Sequence, residues 1–424
     1  MSDTMSSIVL HRNAEQGLYR IIAAQNNKYI LFSGFCFGIA GSLSLSLLPN
    51  FVRNIMGCDA KSFGDMNAII LAIAFALRSC STFAIDIVAD KKTFLKIGII
   101  IALISKAFMV LSFSIFMIFI AKIMDRVSKG IRTSSINFMI CYNNISGKHS
   151  DVKLFSQYDA SHTTGILCGL FLVKMICSIE INENLKYRLV FLLSIPFLLY
   201  SYALANKIIA LDANKHNDNN KVLHKITYDN FIALVLRTKL LPKKYWLNLL
   251  YIFIVMLSYY DIGFLQFKSC DLGITNDKIA IHQIIYNVFI IISSIISAKI
   301  LFVLNSRTRF LIGSTLSCFA NLIGIFASNY TSMMFVYIFG GLHIGIMHGL
   351  MYSILTGCIQ PNLTKNGLAI FYLSEAVALF IGNIFAGRMG DIAIFFSLPQ
   401  SSGPFIFGII LSSIAILCAT RIKD

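Results

Sequence analysis

Residues 94–135 read FLKIGIIIALISKAFMVLSFSIFMIFIAKIMDRVSKGIRTSS. Two apolar runs meet at the short break Ser112-Phe113-Ser114. Each is about the length a helix needs to cross a bilayer, roughly 20 residues. The second run also carries Lys122, Asp125, Arg126, Lys129 and Arg132. At about 100° per residue these five project within an arc of roughly 120°. A charged stripe of that kind cannot face hydrocarbon. It predicts a helix inside a bundle, turned toward a water-filled cavity or other charged side chains.

The rest of the chain repeats the apolar pattern. Of 424 residues, 57% are apolar and 13% charged, with a mean hydropathy of +0.74. A soluble domain runs about 45–50% apolar and about 25% charged. A disordered chain, a disulfide scaffold and a nucleic-acid-binding globule are excluded; a polytopic membrane protein remains. Apolar segments fall at 29–52, 66–88, 94–112, 114–141, 154–178 and 187–208, and again at 245–268, 279–304, 308–327, 332–358, 366–389 and 403–421. Lipid leaves no partner for an open strand, so each segment is helical. The predicted fold is an all-α integral membrane protein with twelve transmembrane helices in two pseudo-symmetric six-helix bundles. Its parts are an N-terminal segment 1–28, a first half 29–208, a basic linker 209–244 and a second half 245–424. Within the linker, Ile226 to Leu236 reads equally as an amphipathic surface helix or as plain tether.

The net charge of +16 sits mainly between the apolar runs. With the N-terminus inside, the inner segments hold 21 Lys and Arg against 7 in the outer ones, Arg53, Lys61, Lys186, Arg188, Lys268, Lys278 and Arg388. That bias predicts both termini in the cytoplasm. Residues 1–27 are polar and lack the apolar core of a cleaved signal. The ten Cys are scattered, with no CxxC pair, and read as small membrane-core residues. An internal repeat is faint: a shift of 215 places Gly98 on Gly313 and Gly130 on Gly345, and a shift of 213 places Ser161 and Gly169 on Ser374 and Gly382. Two related halves are a common transporter design.

Ionisable groups inside spans are the candidate functional residues. Lys122, Asp125 and Arg126 should lie deepest, as a solute or proton site; Lys129 and Arg132, nearer the cytoplasm, suit a gate. In the fifth span, Asp159 and His162 share one helical face, with Asp159 placed to pair with Arg126 or Lys129. Asp261, beside Tyr259 and Tyr260, and Glu375, in the middle of the eleventh span, are protonatable candidates. Lys106 and Lys174 read as snorkelling or structural, and Arg78 is ambiguous. His343 and His348 are five residues apart, so they point about 140° apart and do not make a metal site from one helix. No nucleophile elbow, phosphate loop, zinc motif or glycine fingerprint occurs, so neither a cofactor, a metal nor an enzymatic activity is expected.

Two six-helix halves, a basic central loop and a charged loop between the second and third helices resemble the major facilitator superfamily. MDRVSKGIRTSS (124–135) resembles a DR-x-GKGIRT signature in the fourth helix of one bacterial branch. SYYDIGFLQFKSCDLGI (258–274) and residues 340–391 resemble its seventh, tenth and eleventh helices. The gating loop departs from the family pattern: Asp90 and Lys91 are kept, Asp86 replaces a Gly, and the Gly-Arg-Arg end is absent. In the second half Phe302 stands where an acid belongs, and Ser128 replaces the first Gly of the signature.

The resemblance implies a secondary transporter working by alternating access, with a cavity lined by helices 1, 4, 7 and 10. The basic groups of helix four favour an anionic or zwitterionic solute. Asp125, Asp159, Asp261 and Glu375 would carry protons, and Asp90 with Lys91 would belong to the inner gate. Expected partners are a small-molecule solute, protons and the lipid bilayer, with no nucleic acid, for a monomer. A proton-coupled efflux antiporter, a degenerate transporter acting as sensor or scaffold, and a polytopic membrane transferase remain alternatives. Abundant Ile, Lys, Asn and Phe suggest an AT-rich bacterial genome, hence a bacterial inner membrane and import.

Overall fold

The computed structural model describes residues 2–87, 91–142, 148–209, 240–299, 304–359 and 363–419, all-helical among those residues. The first half contains α1 (Ser2–Leu45), short α2 (Leu48–Asn54), α3 (Ala60–Ile87), α4 (Lys91–Leu111), α5 (Ile115–Tyr142), α6 (Lys148–Cys177) and α7 (Glu183–Lys207). The second contains α8 (Lys243–Leu257), α9 (Gly263–Asp271), α10 (Asn276–Lys299), α11 (Ser306–Phe326), α12 (Tyr330–Gly357), α13 (Thr364–Phe395) and α14 (Gly403–Ala419). Among the described residues, ten spans qualify by length and composition alone. The other two crossings are α5, which has too many charges, and the pair α8–α9, which is interrupted at residues 258–262. The seventh span is therefore two helices, not the continuous 245–268 segment of the sequence reading. Asp90, Phe302 and most of the linker, with Ile226 and Leu236, lie outside the described residues, as do the side chains of Arg78, Asp86, Lys91 and His348.

Helix ends are closed by side chains, because the last carbonyls and first amides of a helix have no partner within it. Arg188 of α7 donates from Nη2 to Ser112 O at 2.9 Å and from Nη1 to Val110 O, ending α4. Lys92 of α4 returns the arrangement, donating to Asn206 O at 2.9 Å and Ile208 O at 2.6 Å at the end of α7. Asn182 accepts from Asn184 N at 2.9 Å to start α7. In the turn before α3, Asp59 accepts from Ser62 N at 3.1 Å, and hydrogen bonding from the Ser62 side chain first, then its backbone, holds the Asp59 carboxyl below the usual range. Arg188 was read from sequence as an outer-loop charge; it is a cap.

The pseudo-symmetry is visible atom by atom. Gly98 of α4 lies so close to α5 that a Cβ there would stand 2.8 Å from Arg132 Cγ and 3.1 Å from Ile131 Cγ2. Gly313 of α11 lies against the counterparts Met347 and Ile346 of α12, each 215 positions on, where a Cβ would stand 2.7 Å from Met347 Cγ and 3.8 Å from Ile346 Cγ2. The 213 shift fares the same way: Gly169 meets Ser42 and Ile39 of the first span, and Gly382 meets Leu257 O of the seventh. Gly57 and Gly273 take the same left-handed φ, +67° and +71°, in the loop after the first span of each half, a conformation glycine adopts without a Cβ penalty.

The halves meet along α3–α13 and α6–α10. An even number of crossings puts the start of α1 and the end of α14 at one face of the protein, and polar contacts between the halves cluster at the opposite face. Arg53 pairs with Asp271 and donates to Phe267 O. Asn276 donates to Glu183 and Tyr187, both at 2.9 Å, and accepts from Asn50 at 2.8 Å. Gln283 donates to Ser46 O at 2.9 Å, and Arg388 pairs with Asp65 at 2.9 Å. The rings of Phe63 and Phe267 lie 4.6 Å apart beneath them. This face is closed.

Beside it, Gly64 and Gly387 bring two backbones together: a Cβ on Gly64 would meet Asn383 O at 2.7 Å, and one on Gly387 would meet Ala60 O at 2.9 Å. Backbone cannot move aside as a side chain can, and overpacking of this kind costs about 1–3 kcal/mol. Gly64→Ala and Gly387→Ala should each lower the thermal midpoint of the purified protein and raise thiol labelling of a cysteine placed at Asn50. An unchanged midpoint with unchanged labelling would contradict this packing.

Candidate functional site

A buried acid on α5, Asp125, finds its partner on α4. Lys106 Nζ lies 2.6 Å from Asp125 Oδ1, with the two side chains 2% and 8% exposed. Sequence reading took Lys106 for a structural or snorkelling residue and offered Asp125 no partner; spacing along one helix cannot show what a neighbouring helix presents. Arg132 and Arg126 add positive charge around the pair. Arg132 donates from Nε to Ser128 Oγ at 3.0 Å and lies over the Phe37 ring at 4.2 Å. Ser128 donates onward to Gly98 O at 2.7 Å. Ser128 thus positions Arg132.

Lys106, Asp125, Lys129, Arg132, Tyr158 and His162 line a cavity of about 280 Å³, near the lower end of small-molecule sites. Three cations face one carboxylate. The far wall belongs to the second half, where Gln266, Gln283, Tyr286 and Asn287 offer neutral polar groups. Tyr158 stacks on His162 with centroids 6.3 Å apart. Of the residues singled out from sequence, Asp125, Lys129, Arg132 and His162 come together here. Asp159 does not: it is exposed on α6 and makes no ion pair with Arg126 among the described residues.

Lys122 turns the other way, donating to Asn67 Oδ1 at 2.5 Å and lying 5.5 Å from the Phe63 ring. It feels the charge of Asp261 across the boundary between halves. Asp261 sits in the break between α8 and α9: its Oδ1 accepts from Gly263 N at 2.7 Å, and its own N–H donates to Asn383 Oδ1 at 3.0 Å. The acid therefore starts α9, a role the sequence reading did not assign. Glu375 is buried on α13, electrostatically linked to Tyr259. Arg53 and Lys268, counted from sequence as loop charges, are half-buried at the closed face and fully buried in α9 respectively; Lys268 donates to Ser402 Oγ at 2.7 Å.

Removing one member of a buried ion pair strands the other and costs about 3–5 kcal/mol, whereas replacing both with apolar groups is often neutral. Lys106→Met should therefore destabilise the protein strongly, and Lys106→Met with Asp125→Leu should restore most of the midpoint. Denaturation of the single and double variants checks it; a double variant as weak as the single would contradict the pairing.

The Major Facilitator Superfamily model matches residues 30–363. No curated protein sequence matches the chain. Among solved structures, the nucleoside transporter NupG superposes with a TM-score of 0.70 at 12% identity, covering 95% of this chain and 100% of that one. A bacterial homologue of the human lysosomal transporter Spinster, in an inward-facing and unoccupied conformation, gives 0.70 at 11% identity, covering 94% and 97%. A D-xylose–proton symporter gives 0.66 at 13% identity, covering 92% and 96%. At such identities the likeness speaks for the fold. The family match spans most of the chain, and the two-bundle fold agrees with it: this protein belongs to the major facilitator superfamily of secondary transporters, which are not enzymes.

Proposed function

We propose that this transporter moves a small anionic or zwitterionic solute by alternating access, coupled to protons. The observation that carries the reading is the cavity beside α5, where Lys106, Lys129 and Arg132 face the single carboxylate of Asp125. An anion entering there competes with Asp125 for the Lys106 ammonium. Protonation of Asp125 would release that ammonium to the solute, which couples proton and solute in one site. Asp261 is a second proton candidate, since it faces Lys122 across the halves and caps the broken seventh helix. Glu375 and Asp159 stand behind these two, and Lys129 and Arg132 double as gate residues on the open side.

The halves 29–208 and 245–424 rock about the 209–244 linker. With both termini cytoplasmic, as the Lys and Arg distribution indicates, the closed face is the outer one and the structure is inward-facing. The chain acts as a monomer in a bacterial inner membrane, in the branch whose signature MDRVSKGIRTSS resembles, and works as a symporter. The altered Asp90–Lys91 loop favours one competing reading, a transporter fold kept as sensor or scaffold.

Proteoliposomes with an internal pH dye separate the two. Challenged with amino acids, organic acids, sugars, nucleosides and lipophilic cations, they should show a pH change with an anionic or zwitterionic solute, lost in Asp125→Asn or Asp261→Asn. A response to lipophilic cations alone would favour efflux. Exchange of labelled solute without a pH change would remove the proton. Silence in both assays would favour the scaffold.

A further inference from the structure

A second cavity, of about 200 Å³, lies within the second half between α8–α9, α10, α11 and α12. It shares Ile262 and Tyr286 with the first cavity, so the two adjoin. The internal repeat relates them. A shift of 215 carries Ala102, Lys106 and Lys129 of the first onto Ser317, Asn321 and Ile344 of the second, and Asp125 onto Gly340. It also carries Ser128 onto His343, and these two residues do the same thing: Ser128 Oγ donates to Gly98 O and His343 Nδ1 donates to Gly313 O, both at 2.7 Å. The fold builds one kind of cavity twice. Among the described residues, no Lys, Arg, Asp or Glu lines the second copy.

The second copy is neutral yet not inert. Since a carbonyl only accepts, His343 Nδ1 carries the hydrogen, and Nε2 of the neutral ring is an acceptor. Nε2 has no hydrogen-bond partner among the described residues, and His343 is 4% exposed. The Tyr259 hydroxyl, equally without a partner among the described residues, belongs to a ring edge-on to His343 with centroids 5.2 Å apart. By contrast the Tyr260 hydroxyl is spent on Asn321 Oδ1 at 2.7 Å. Two neighbouring residues of the cavity lining thus carry an acceptor and a donor without partners among the described residues, and buried polar groups of this kind find partners.

We propose that the transported solute has two unlike ends. An anionic end lies against Lys106 and Arg132. An uncharged end, presenting a hydrogen-bond donor next to an acceptor as an amide or cyclic imide edge does, seats between His343 and Tyr259. The proposal rests on the anionic reading of the first cavity, and three probes tell the two apart: uridine 5′-monophosphate, ribose 5-phosphate and uridine, titrated calorimetrically into the full-length protein in nanodiscs. The nucleotide should bind about tenfold more tightly than either fragment, one well-made polar contact being worth roughly that factor. Tyr259→Phe should bring the nucleotide down to the level of ribose 5-phosphate and leave ribose 5-phosphate unchanged. His343→Asn, which keeps a donor for Gly313 O and removes the Nε2 acceptor, should do the same. Equal binding of nucleotide and ribose 5-phosphate, or equal losses for both in Tyr259→Phe, would overturn the proposal and leave the anionic site standing. Binding of neither phosphate would overturn both.

Discussion

A charge inside a bilayer must be paired, hydrated or moved to an edge, and the architecture is arranged around that constraint. Lys106 and Asp125 satisfy it by neutralising one another between α4 and α5. That contact fixes which face of α5 turns inward, and with it the positions of Lys129 and Arg132 along the cavity wall. It also requires α4 and α5 to approach closely, which Gly98 permits. One ion pair, one glycine and one serine thus set the geometry of the charged site.

Much of the fold is legible in the chain because lipid imposes a simple grammar: apolar runs of a fixed length, broken by polar turns. What sequence obscures is tertiary. Arg53, Arg188 and Lys268 look like loop charges because they stand near span ends, and only the folded chain shows that Arg53 links the halves, Arg188 caps α4 and Lys268 is buried against Ser402. Asp261 looks like a mid-span acid because the break in the seventh span has no Pro or Gly before Gly263 to announce it. The repeat was legible as three glycine coincidences and one of serine, whereas the equivalence of Ser128 and His343 was not, since a hydroxyl and an imidazole share no pattern until both are seen donating to the same carbonyl position.

The two halves have diverged in chemistry while keeping their frame. Glycine contacts at Gly98 and Gly313, and at Gly169 and Gly382, preserve helix spacing in both. Around that frame the two cavities differ: Lys106, Asp125, Lys129 and Arg132 line the first, and among the described residues no Lys, Arg, Asp or Glu lines the second.

The Arg53 latch has a further consequence. Its guanidinium joins a carboxylate, Asp271, and a main-chain carbonyl, Phe267 O, and both charged side chains are about one quarter exposed. A pair so placed is screened by whatever electrolyte bathes that face, with a Debye length near 10 Å at about 0.1 M and near 3 Å at about 1 M. The hold that this pair gives the two halves therefore weakens as the electrolyte bathing that face becomes more concentrated.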